Sequence, residues 1–396
     1  MEISVRTGDS LWYYSHLFEV PLSLIEASNP DISSNLLQVG QTIKIPGYVT
    51  RPYIVKPNDS LWTISMETNT PLDGLQLLNQ QINPAYLQIG QTLIIPERVT
   101  NLIVNDITEY TYEKLVSDLN RLTSIYPFIE SQTIGQSVMG KDIIELQVGI
   151  GTKEVHVNGS FHANEWITTP LIVRFLNDYV LSLTNNLPIR GLFMLPYFMN
   201  TRLSLVPMVN PDGVNLVIVG ASAAGNRREQ VLAINNQDED FSNWKANING
   251  VDLNNQYPAL WETEAERKPT TPQPRDFPGQ SPLTEPEAIA MAELARQRPF
   301  IRMNAFHTQG EVIFWGFQGL EPPESEGIVN EYSRVSGYRQ VKNVDSYAGY
   351  KDWFIQEYRS PGFTVELGSG VNPLPINQFP EIYEESLGIM LANLYL

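Results

Sequence analysis

The chain has 396 residues, 42% of them hydrophobic and 18% charged, so it has enough apolar material for more than one folded domain. Its formal net charge of −18 argues against a nucleic-acid-binding protein, because such proteins present basic surfaces to the phosphates. Cysteine is absent, which excludes disulfides, thiolate metal sites and cysteine nucleophiles, so any metal must be bound by His, Asp or Glu.

The N-terminal part of the chain contains one unit twice. Residues 8–12 (GDSLW) recur as 58–62 (NDSLW), and residues 40–46 (GQTIKIP) recur as 90–96 (GQTLIIP), each at an offset of 50. A repeat at a fixed offset indicates that each copy is a structural unit of its own. The pattern in each copy predicts a strand, two helices and a second strand.

Local signals fix the ends of these predicted elements. An Asp-Ser pair precedes Leu-Trp in both copies and is a helix N-cap signal, because a side-chain oxygen can accept a hydrogen bond from a first-turn amide. Gly40 and Gly90 precede the last strand of each copy, where the turn favours a positive φ. Pro46 and Pro96 are expected to end that strand.

The repeated pattern resembles LysM modules, which bind glycans that contain N-acetylglucosamine, such as peptidoglycan. The resemblance implies one module over residues 1–48 and another over residues 51–98. Asn29 and Asn79, with their flanking loops, are the candidates for a sugar groove, and a role in a turn is the alternative for each. Two weak modules in tandem gain avidity on a long polymer. A generic βααβ packing repeat is the competing interpretation.

The rest of the chain, residues 105–396, alternates between helix-like and strand-like segments. A helix is predicted over residues 111–126, strands over 142–148 and 155–161, and a further helix from Pro170. Such alternation is typical of an α/β fold, here a mixed, mostly parallel twisted sheet with helices on both faces. The two small βααβ domains would precede this fold in the chain.

A metal site is indicated where the second of these strands ends. His162 and Glu165 are three residues apart, so both side chains can reach one ion as a strand leads into a helical turn. Of the other histidines, His16 falls in the first repeat and His156 lies within a strand, where a structural role is expected. His307 ends another apolar strand and is the candidate third ligand, because catalytic zinc usually takes three protein ligands and a water.

The final predicted strand, residues 362–368, carries a carboxylate near its end, at Glu366. Binding sites in open α/β sheets form at the carboxyl ends of strands. We therefore expect Glu366 to lie close to His162, Glu165 and His307.

This arrangement resembles the zinc carboxypeptidase (carboxypeptidase A-like) family over residues 105–396. Further landmarks follow in the family's order, at residues 210–213 (NPDG), 250–254 (GVDLN), 277–279 (FPG), 285–287 (EPE) and 352–353 (DW). The resemblance implies one Zn²⁺ per chain, held by His162, Glu165 and His307, and a water activated by Glu366 as general base.

The resemblance also supplies two further catalytic candidates. In the family, an arginine just after a tryptophan stabilises the oxyanion, and here Trp244 is followed by Lys245. Lysine brings the positive charge but not the planar guanidinium group. Tyr347 is the candidate for the family's mobile active-site tyrosine, although the segment that follows it is shorter here.

The substrate-binding positions depart from the family pattern. Family exopeptidases hold the substrate's C-terminal carboxylate with an arginine and a neighbouring asparagine, and here the corresponding positions are Asn255 and Asn254. A further arginine of the family, inside the metal motif, is replaced by Asn164. Both losses remove a bidentate clamp for a carboxylate. These departures favour an endopeptidase, or an enzyme that recognises an unusual residue.

The position that sets side-chain specificity in the family is Lys351. A lysine there favours a negatively charged group, and diaminopimelate in peptidoglycan stem peptides carries an extra carboxylate; a solvated surface lysine is the alternative. Together with the LysM-like modules, the chain looks like the γ-D-glutamyl-L-diamino-acid endopeptidases of spore-forming bacteria. These enzymes cut the γ-D-Glu to diaminopimelate bond, so the expected partner is peptidoglycan, through its glycan and its stem peptide.

Two other functions stay open at this point: a broad zinc carboxypeptidase acting on ordinary peptides, and a wall-binding or spore-coat protein with an inactive peptidase half. No stretch of about 18 apolar residues occurs, so no transmembrane helix is expected. The N-terminus lacks the basic and apolar regions of a secretory signal, so we expect no signal peptide. The expected location is the cytoplasm of a sporulating cell, or the spore or cell wall.

Overall fold

The first sequence repeat forms a strand, two helices and a strand, as expected. The computed structural model describes residues 1–32, 37–105 and 107–396. The elements of the first copy are β1 (Glu2–Ser4), α1 (Leu11–Leu17), α2 (Leu22–Ala27) and β2 (Thr42–Lys44), and β1 pairs antiparallel with β2. Ser10 caps α1, because its Oγ accepts a hydrogen bond from the Tyr13 amide at 3.1 Å. The turn before β2 has Gly40 at a φ of 86°, as predicted.

The second copy repeats this arrangement with longer strands. Its elements are β3 (Tyr48–Ile54), α3 (Leu61–Thr68), α4 (Leu72–Leu78) and β4 (Thr92–Arg98), with β3 and β4 antiparallel. The expectation that Pro96 ends the last strand is wrong, because β4 continues through it to Arg98 and Pro96 pairs with Thr50. A two-stranded sheet leaves each strand with an open edge, where a missing N–H costs little.

The remaining elements build an eight-stranded sheet and its helices. They are α5 (Tyr112–Ile125), β5 (Glu130–Gln136), β6 (Asp142–Val148), β7 (Lys153–Gly159), α6 (Thr168–Asn185), α7 (Leu195–Asn200), β8 (Thr201–Val206), α8 (Pro211–Val219), α9 (Arg228–Ile234), α10 (Trp261–Ala265), α11 (Pro286–Gln297), β9 (Phe300–Thr308), β10 (Val312–Phe314), α12 (Glu324–Ser336), β11 (Arg339–Val341), α13 (Tyr350–Tyr358), β12 (Gly362–Leu367) and α14 (Phe379–Tyr395).

The strand order across this sheet is β11-β10-β12-β9-β7-β8-β6-β5. The four central strands, β12, β9, β7 and β8, run parallel to their neighbours within that group. Antiparallel pairing begins on either side, between β10 and β12 and between β6 and β8. The sheet is therefore mixed with a parallel centre, as the sequence predicts.

Apolar faces hold the helices in place. Leu115, Leu119 and Leu122 on α5 are all buried, as their spacing predicts. Helix α6 begins at Thr168, two residues before the predicted start at Pro170. A proline in the first turn of a helix is tolerated, because the amide that it lacks would have no helical partner there.

The described residues fall into two compact units. The first unit comprises Met1–Ile103, Asn120–Glu130 and Asn177–Pro196, and the second comprises Val104–Leu119, Ser131–Leu176 and Tyr197–Leu396. The first unit thus takes in two segments beyond residue 105. The predicted boundaries at 1–48, 51–98 and 105–396 stay a prediction. Among the described residues, no helix is both long enough and apolar enough to cross a membrane.

Candidate active site

Three adjacent parallel strands end at the same edge of the sheet and bring the candidate residues together. His307 and Glu366 are each the second-to-last residue of their strands, β9 and β12, and they lie opposite each other in register. Residues paired in this way project from the same face of a sheet. His162 follows the end of β7, and a 3₁₀ turn at Ala163–Glu165 turns Glu165 toward the same point.

His162, Glu165 and His307 form a group that fits a zinc ion. The Nδ1 atoms of the two histidines are 3.2 Å apart. Each also lies 2.9 Å from a different carboxylate oxygen of Glu165. Tetrahedral ligands about 2.1 Å from zinc are separated by roughly 3.4 Å, so only small movements are needed to admit the ion. Two imidazoles and a carboxylate are also the ligand types that catalytic zinc prefers.

Glu165 stays charged although its side chain is buried. Burial by itself would raise the pKa of Glu165, but the charges of His162 and Lys245 and the histidine hydrogen bonds hold that pKa well below its usual range. Burial also opposes the charged form of His162, yet the carboxylate of Glu165 outweighs it and raises the pKa of His162 to about 9. Burial lowers the pKa of His307, which leaves its ring nitrogen neutral and able to bind a metal.

A further carboxylate, not assigned a site role from the sequence, contacts the first histidine. Asp252 Oδ1 lies 3.3 Å from His162 Nε2, on the side of the ring away from Glu165. Asp252 is held in turn by the backbone amides of Asn254 and Asp276. A carboxylate in this position fixes the ring orientation of a metal-binding histidine and raises its basicity. The motif at residues 250–254 identified this segment as part of the family resemblance, but its local sequence does not predict the contact between Asp252 and His162.

Lys245 and Glu366 complete the charged group. Lys245 Nζ is 3.3 Å from Glu165 Oε1, and three carboxylates, those of Glu165, Asp252 and Glu366, raise the pKa of Lys245 against the effect of its burial. Burial is also the main cause that raises the pKa of Glu366, to about 8, with the charge of Glu165 adding to it. A bound cation would favour the charged carboxylate of Glu366.

The three candidate asparagines of the substrate site lie next to residues of this group in the chain: Asn164 stands between His162 and Glu165, and Asn254 and Asn255 follow Asp252. Asn164 is buried, and its Nδ2 donates to the Ser242 carbonyl at 3.1 Å. Asn254 accepts from the Tyr350 amide at 3.1 Å, and the side chain of Asn255 is buried. An asparagine side chain carries no charge, so none of the three can form the charged fork that binds a carboxylate.

Lys351 and Tyr347 make contacts with residues other than His162, Glu165 and His307. Lys351 is buried, and its Nζ donates to the Gly316 carbonyl at 2.8 Å and lies 2.6 Å from Asp352 Oδ1. Tyr347 packs beside Arg267, whose Cζ is 4.9 Å from the ring centre. Gly316, Asp352 and Tyr347 all line a cavity of about 430 Å³. These contacts do not bring either residue into the metal group.

The two asparagines considered for the sugar groove are buried, and their side chains are hydrogen-bonded to backbone atoms. The Nδ2 of Asn79 donates to the carbonyls of Leu75 and Ile94, both at 2.7 Å, and its Oδ1 accepts from the Ile94 amide at 2.9 Å. Asn29 makes the equivalent three bonds in the first copy, to Ile25 and Lys44. Because these bonds tie the second helix to the last strand, the arrangement favours a structural role over contact with sugar.

Comparison with known proteins finds two families in the chain. Residues 115–388 match the family model for zinc carboxypeptidases, and residues 3–46 and 53–96 each match the model for the LysM domain. A relative from Lysinibacillus sphaericus, gamma-D-glutamyl-L-diamino acid endopeptidase 1, is 62% identical over 396 residues and is covered completely, as is this chain.

Solved structures of low sequence identity share the fold. Bovine thrombin-activatable fibrinolysis inhibitor matches with a TM-score of 0.56 at 17% identity, over 72% of this chain and 96% of its own. Carboxypeptidase A from Helicoverpa armigera matches with a TM-score of 0.52 at 16% identity, over 88% of this chain and 98% of its own. At such identities the likeness shows a carboxypeptidase-like fold and nothing about substrate.

Proposed function

Because the chain belongs to the zinc carboxypeptidase family and carries two LysM domains, we propose that it is a peptidoglycan stem-peptide hydrolase that cuts the γ-D-glutamyl to diaminopimelate bond. The observation that carries the proposal is the 62% identity, over all 396 residues, to a relative named for cleavage at a γ-D-glutamyl-diamino acid bond. The similarity extends through both LysM domains and the peptidase domain, so it covers the glycan-binding and the catalytic parts alike.

In the proposed reaction, His162, Glu165 and His307 would hold a zinc ion. Bound there, zinc would lower the pKa of a water and polarise the carbonyl to be cut. Glu366 takes a proton from the attacking water as its oxygen bonds to the γ-carbonyl carbon of D-glutamate. The C–N bond then breaks, and Glu366 returns the proton to the departing amine of diaminopimelate. Lys245 Nζ supplies positive charge to the oxyanion that forms on the carbonyl oxygen.

The proposed substrate agrees with the departures at the carboxylate-binding positions. Asn164 and Asn255 offer amides where family exopeptidases use arginines, and Asn254 keeps the family's asparagine, so tight binding of an ordinary C-terminal carboxylate is not expected. We assign Lys351 to recognition of the second carboxylate of diaminopimelate. Lys351 Nζ donates one hydrogen bond to the Gly316 carbonyl and lies 2.6 Å from Asp352 Oδ1, and both of these residues line the cavity. An ammonium group has three N–H donors, so it can also donate to a substrate oxygen. Tyr347, which lines the same cavity, is the candidate mobile tyrosine.

The LysM domains suit this reaction because glycan and stem peptide belong to the same polymer. Two weakly binding modules on one chain raise the local concentration of the peptidase at its substrate. We propose that the protein acts where peptidoglycan is within reach, at the spore or cell wall, and that it is either made in a sporulating cell or released from one.

The test is mass spectrometry of the tripeptide L-Ala-γ-D-Glu-diaminopimelate incubated with the purified protein, with and without a chelator. Release of free diaminopimelate that the chelator abolishes is the expected result. An α-linked isomer of the same tripeptide is the matched control substrate and should stay intact. Release of C-terminal residues from ordinary linear peptides, without cleavage of the γ-linked one, would identify a broad carboxypeptidase instead. Protein without zinc and without activity on either substrate would point to a binding protein.

A further inference from the structure

The loop that follows β12 sends one side chain back toward the metal group. Asn372 lies in this loop, beyond Glu366, and its side chain is half-buried. Its amide pairs twice with Thr308, the residue after His307. Asn372 Nδ2 donates to the Thr308 carbonyl at 2.9 Å, and Thr308 Oγ1 donates to Asn372 Oδ1 at 2.7 Å. Because both ends of the amide are engaged, its orientation is fixed.

Asn372 and Thr308 together contact both carboxylate oxygens of Glu165. Asn372 Nδ2 is 3.3 Å from Glu165 Oε1, and the Thr308 backbone amide is 3.2 Å from Glu165 Oε2. Donors to an ionised carboxylate make stronger hydrogen bonds than donors to neutral groups. The two contacts hold both oxygens of the Glu165 carboxylate. Each of these oxygens also lies 2.9 Å from the Nδ1 atom of one histidine, Oε1 from His162 and Oε2 from His307.

We propose that Asn372 is a positioning residue that holds Glu165 in the orientation needed to bind zinc. Without the Asn372 amide, Glu165 Oε1 would keep His162 Nδ1 and Lys245 Nζ, the latter at 3.3 Å, so the orientation of the carboxylate would be less constrained. Asn372 thereby links the loop after the strand of Glu366 to the ligands carried by β7 and β9. Partners of this kind typically contribute about 10–100-fold to metal affinity. The inference rests on the proposed role of Glu165 as a zinc ligand.

A competing role for Asn372 is to anchor its loop to Thr308 without any effect on the metal. The two roles differ in what they change. A loop anchor stabilises the fold with or without zinc, whereas a positioning residue changes the affinity for zinc. Thr308 offers an independent approach, because Thr308→Val removes the hydroxyl that orients the amide and leaves the backbone contact to Glu165 in place. Thr308→Ser keeps that hydroxyl and is the conservative variant.

The experiment measures the zinc dissociation constant of the full-length protein by competition with a chromophoric chelator. Asn372→Leu is expected to weaken zinc binding about 10–100-fold, Thr308→Val to weaken it less, and Thr308→Ser to match the wild type. Asn343→Leu, on the exposed part of the same unit, is the matched control and should not change the affinity. Thermal unfolding of chelator-treated protein is recorded in parallel.

Zinc affinities of Asn372→Leu and Thr308→Val within about twofold of the wild type would overturn the proposal, whatever happens to the unfolding temperature. If Asn372→Leu does not fold, the two Thr308 variants decide the question by the same comparison. Because the measurement is of zinc binding, it is independent of which bond the enzyme cuts. A wild-type protein that binds zinc but leaves the γ-linked tripeptide intact would refute the proposed substrate and leave the role of Asn372 standing.

Discussion

Glu165 holds a negative charge in a buried position because both of its oxygens contact donors. Oε1 lies near His162, Lys245 and Asn372, and Oε2 lies near His307 and the Thr308 amide. Each added donor reduces the cost of burying the charge and fixes the direction of the oxygen atoms. The same contacts that stabilise this residue therefore prepare it to bind a cation.

Glu366 is the residue whose removal should stop the reaction without disturbing the metal. Glu366→Gln keeps the shape of the side chain but cannot accept the proton of water, so kcat is expected to fall by about 10²–10⁴-fold. The measurement is the rate of diaminopimelate release from the γ-linked tripeptide, with zinc content determined by elemental analysis. Glu357→Gln, at an exposed position on α13, is the matched control. Loss of zinc together with activity would assign Glu366 to metal binding instead.

Lys351 is expected to bind one group of the substrate, the second carboxylate of diaminopimelate. Loss of a hydrogen bond between charged groups costs about 1.5–3 kcal/mol, so Lys351→Met should lower kcat/KM about 10–100-fold on substrates with a free second carboxylate. Substrates with that carboxylate amidated should be affected much less. Because Asp352 is buried beside Lys351, the double variant Lys351→Met with Asp352→Asn is the control for an unpaired buried charge. Equal losses on free and amidated substrates would contradict the assignment.

The grouping of His162, Glu165 and His307, which the structure brings within reach of one ion, was predictable because a three-residue spacing and a strand end are local patterns. His162, Glu165 and His307 needed no knowledge of distant contacts beyond the rule that parallel strands end at one edge. Asp252 and Asn372 could not be assigned in that way. Their contacts depend on how loops outside the sheet return to it, and a lone Asp or Asn in a loop most often stabilises a turn.

At the scale of elements, the first turn of α11 contains a buried acid that does not belong to the active site. Glu287 accepts from the Val138 amide at 3.1 Å and from Asn247 Nδ2 at 3.2 Å. Asn247 also donates to Glu285, so two carboxylates share one amide. Burial is the main cause that raises the pKa of Glu287, to about 7, and the charge of Asp212 adds to it.

This shift makes the stability of the fold depend on pH. The folded chain keeps a proton on Glu287 that the unfolded chain loses near pH 4.5, so its contribution to stability is present at low pH and is lost as pH rises through about 7. Between pH 5 and 8, we expect the free energy of unfolding to fall in the wild type by up to roughly 3 kcal/mol more than in Glu287→Gln. Urea unfolding at several pH values measures this. Glu293→Gln, on the exposed side of α11, should follow the wild type.

Asn79 in the second LysM domain is expected to contribute to the stability of that domain more than to sugar binding. Asn79→Ala removes three hydrogen bonds of a buried side chain, one to Leu75 in α4 and two to Ile94 in β4, and we expect a cost of roughly 2–4 kcal/mol. The measurement is hydrogen exchange at the Ile94 amide, which donates a hydrogen bond to Asn79 Oδ1. Asn83→Ala, on the exposed loop that follows, is the control. Exchange at Ile94 that is unchanged, with glycan binding abolished, would restore Asn79 to the sugar groove.

For the molecule as a whole, the sequence predicted two repeated modules and an α/β domain but could not predict how the chain divides into units. The repeat is visible because identical residues recur at a fixed offset, whereas the association of Asn120–Glu130 and Asn177–Pro196 with the N-terminal unit has no sequence pattern. The ends of long helices pack according to the surface available to them, and their periodicity gives only the apolar face.

Glycan binding and peptide cleavage should be separable in the whole protein. Tyr86 is 78% exposed and lines a cavity of about 690 Å³ with Ile89, in the loop between α4 and β4. A rigid aromatic ring with a polar end suits a surface that binds sugar rings in water. Tyr86→Ala is therefore expected to weaken binding to insoluble peptidoglycan several-fold, while the first module retains part of the attachment.

The same variant should cut the soluble tripeptide at the wild-type rate, because the tripeptide carries no glycan. Its release of diaminopimelate from intact peptidoglycan should fall in parallel with binding, since attachment sets the local concentration of enzyme at the stem peptides. Ile54→Ala, another exposed apolar position in the second module, is the control for loss of surface area alone. Equal rates of Tyr86→Ala and wild type on intact peptidoglycan, with binding reduced, would mean that the modules locate the enzyme without contributing to turnover.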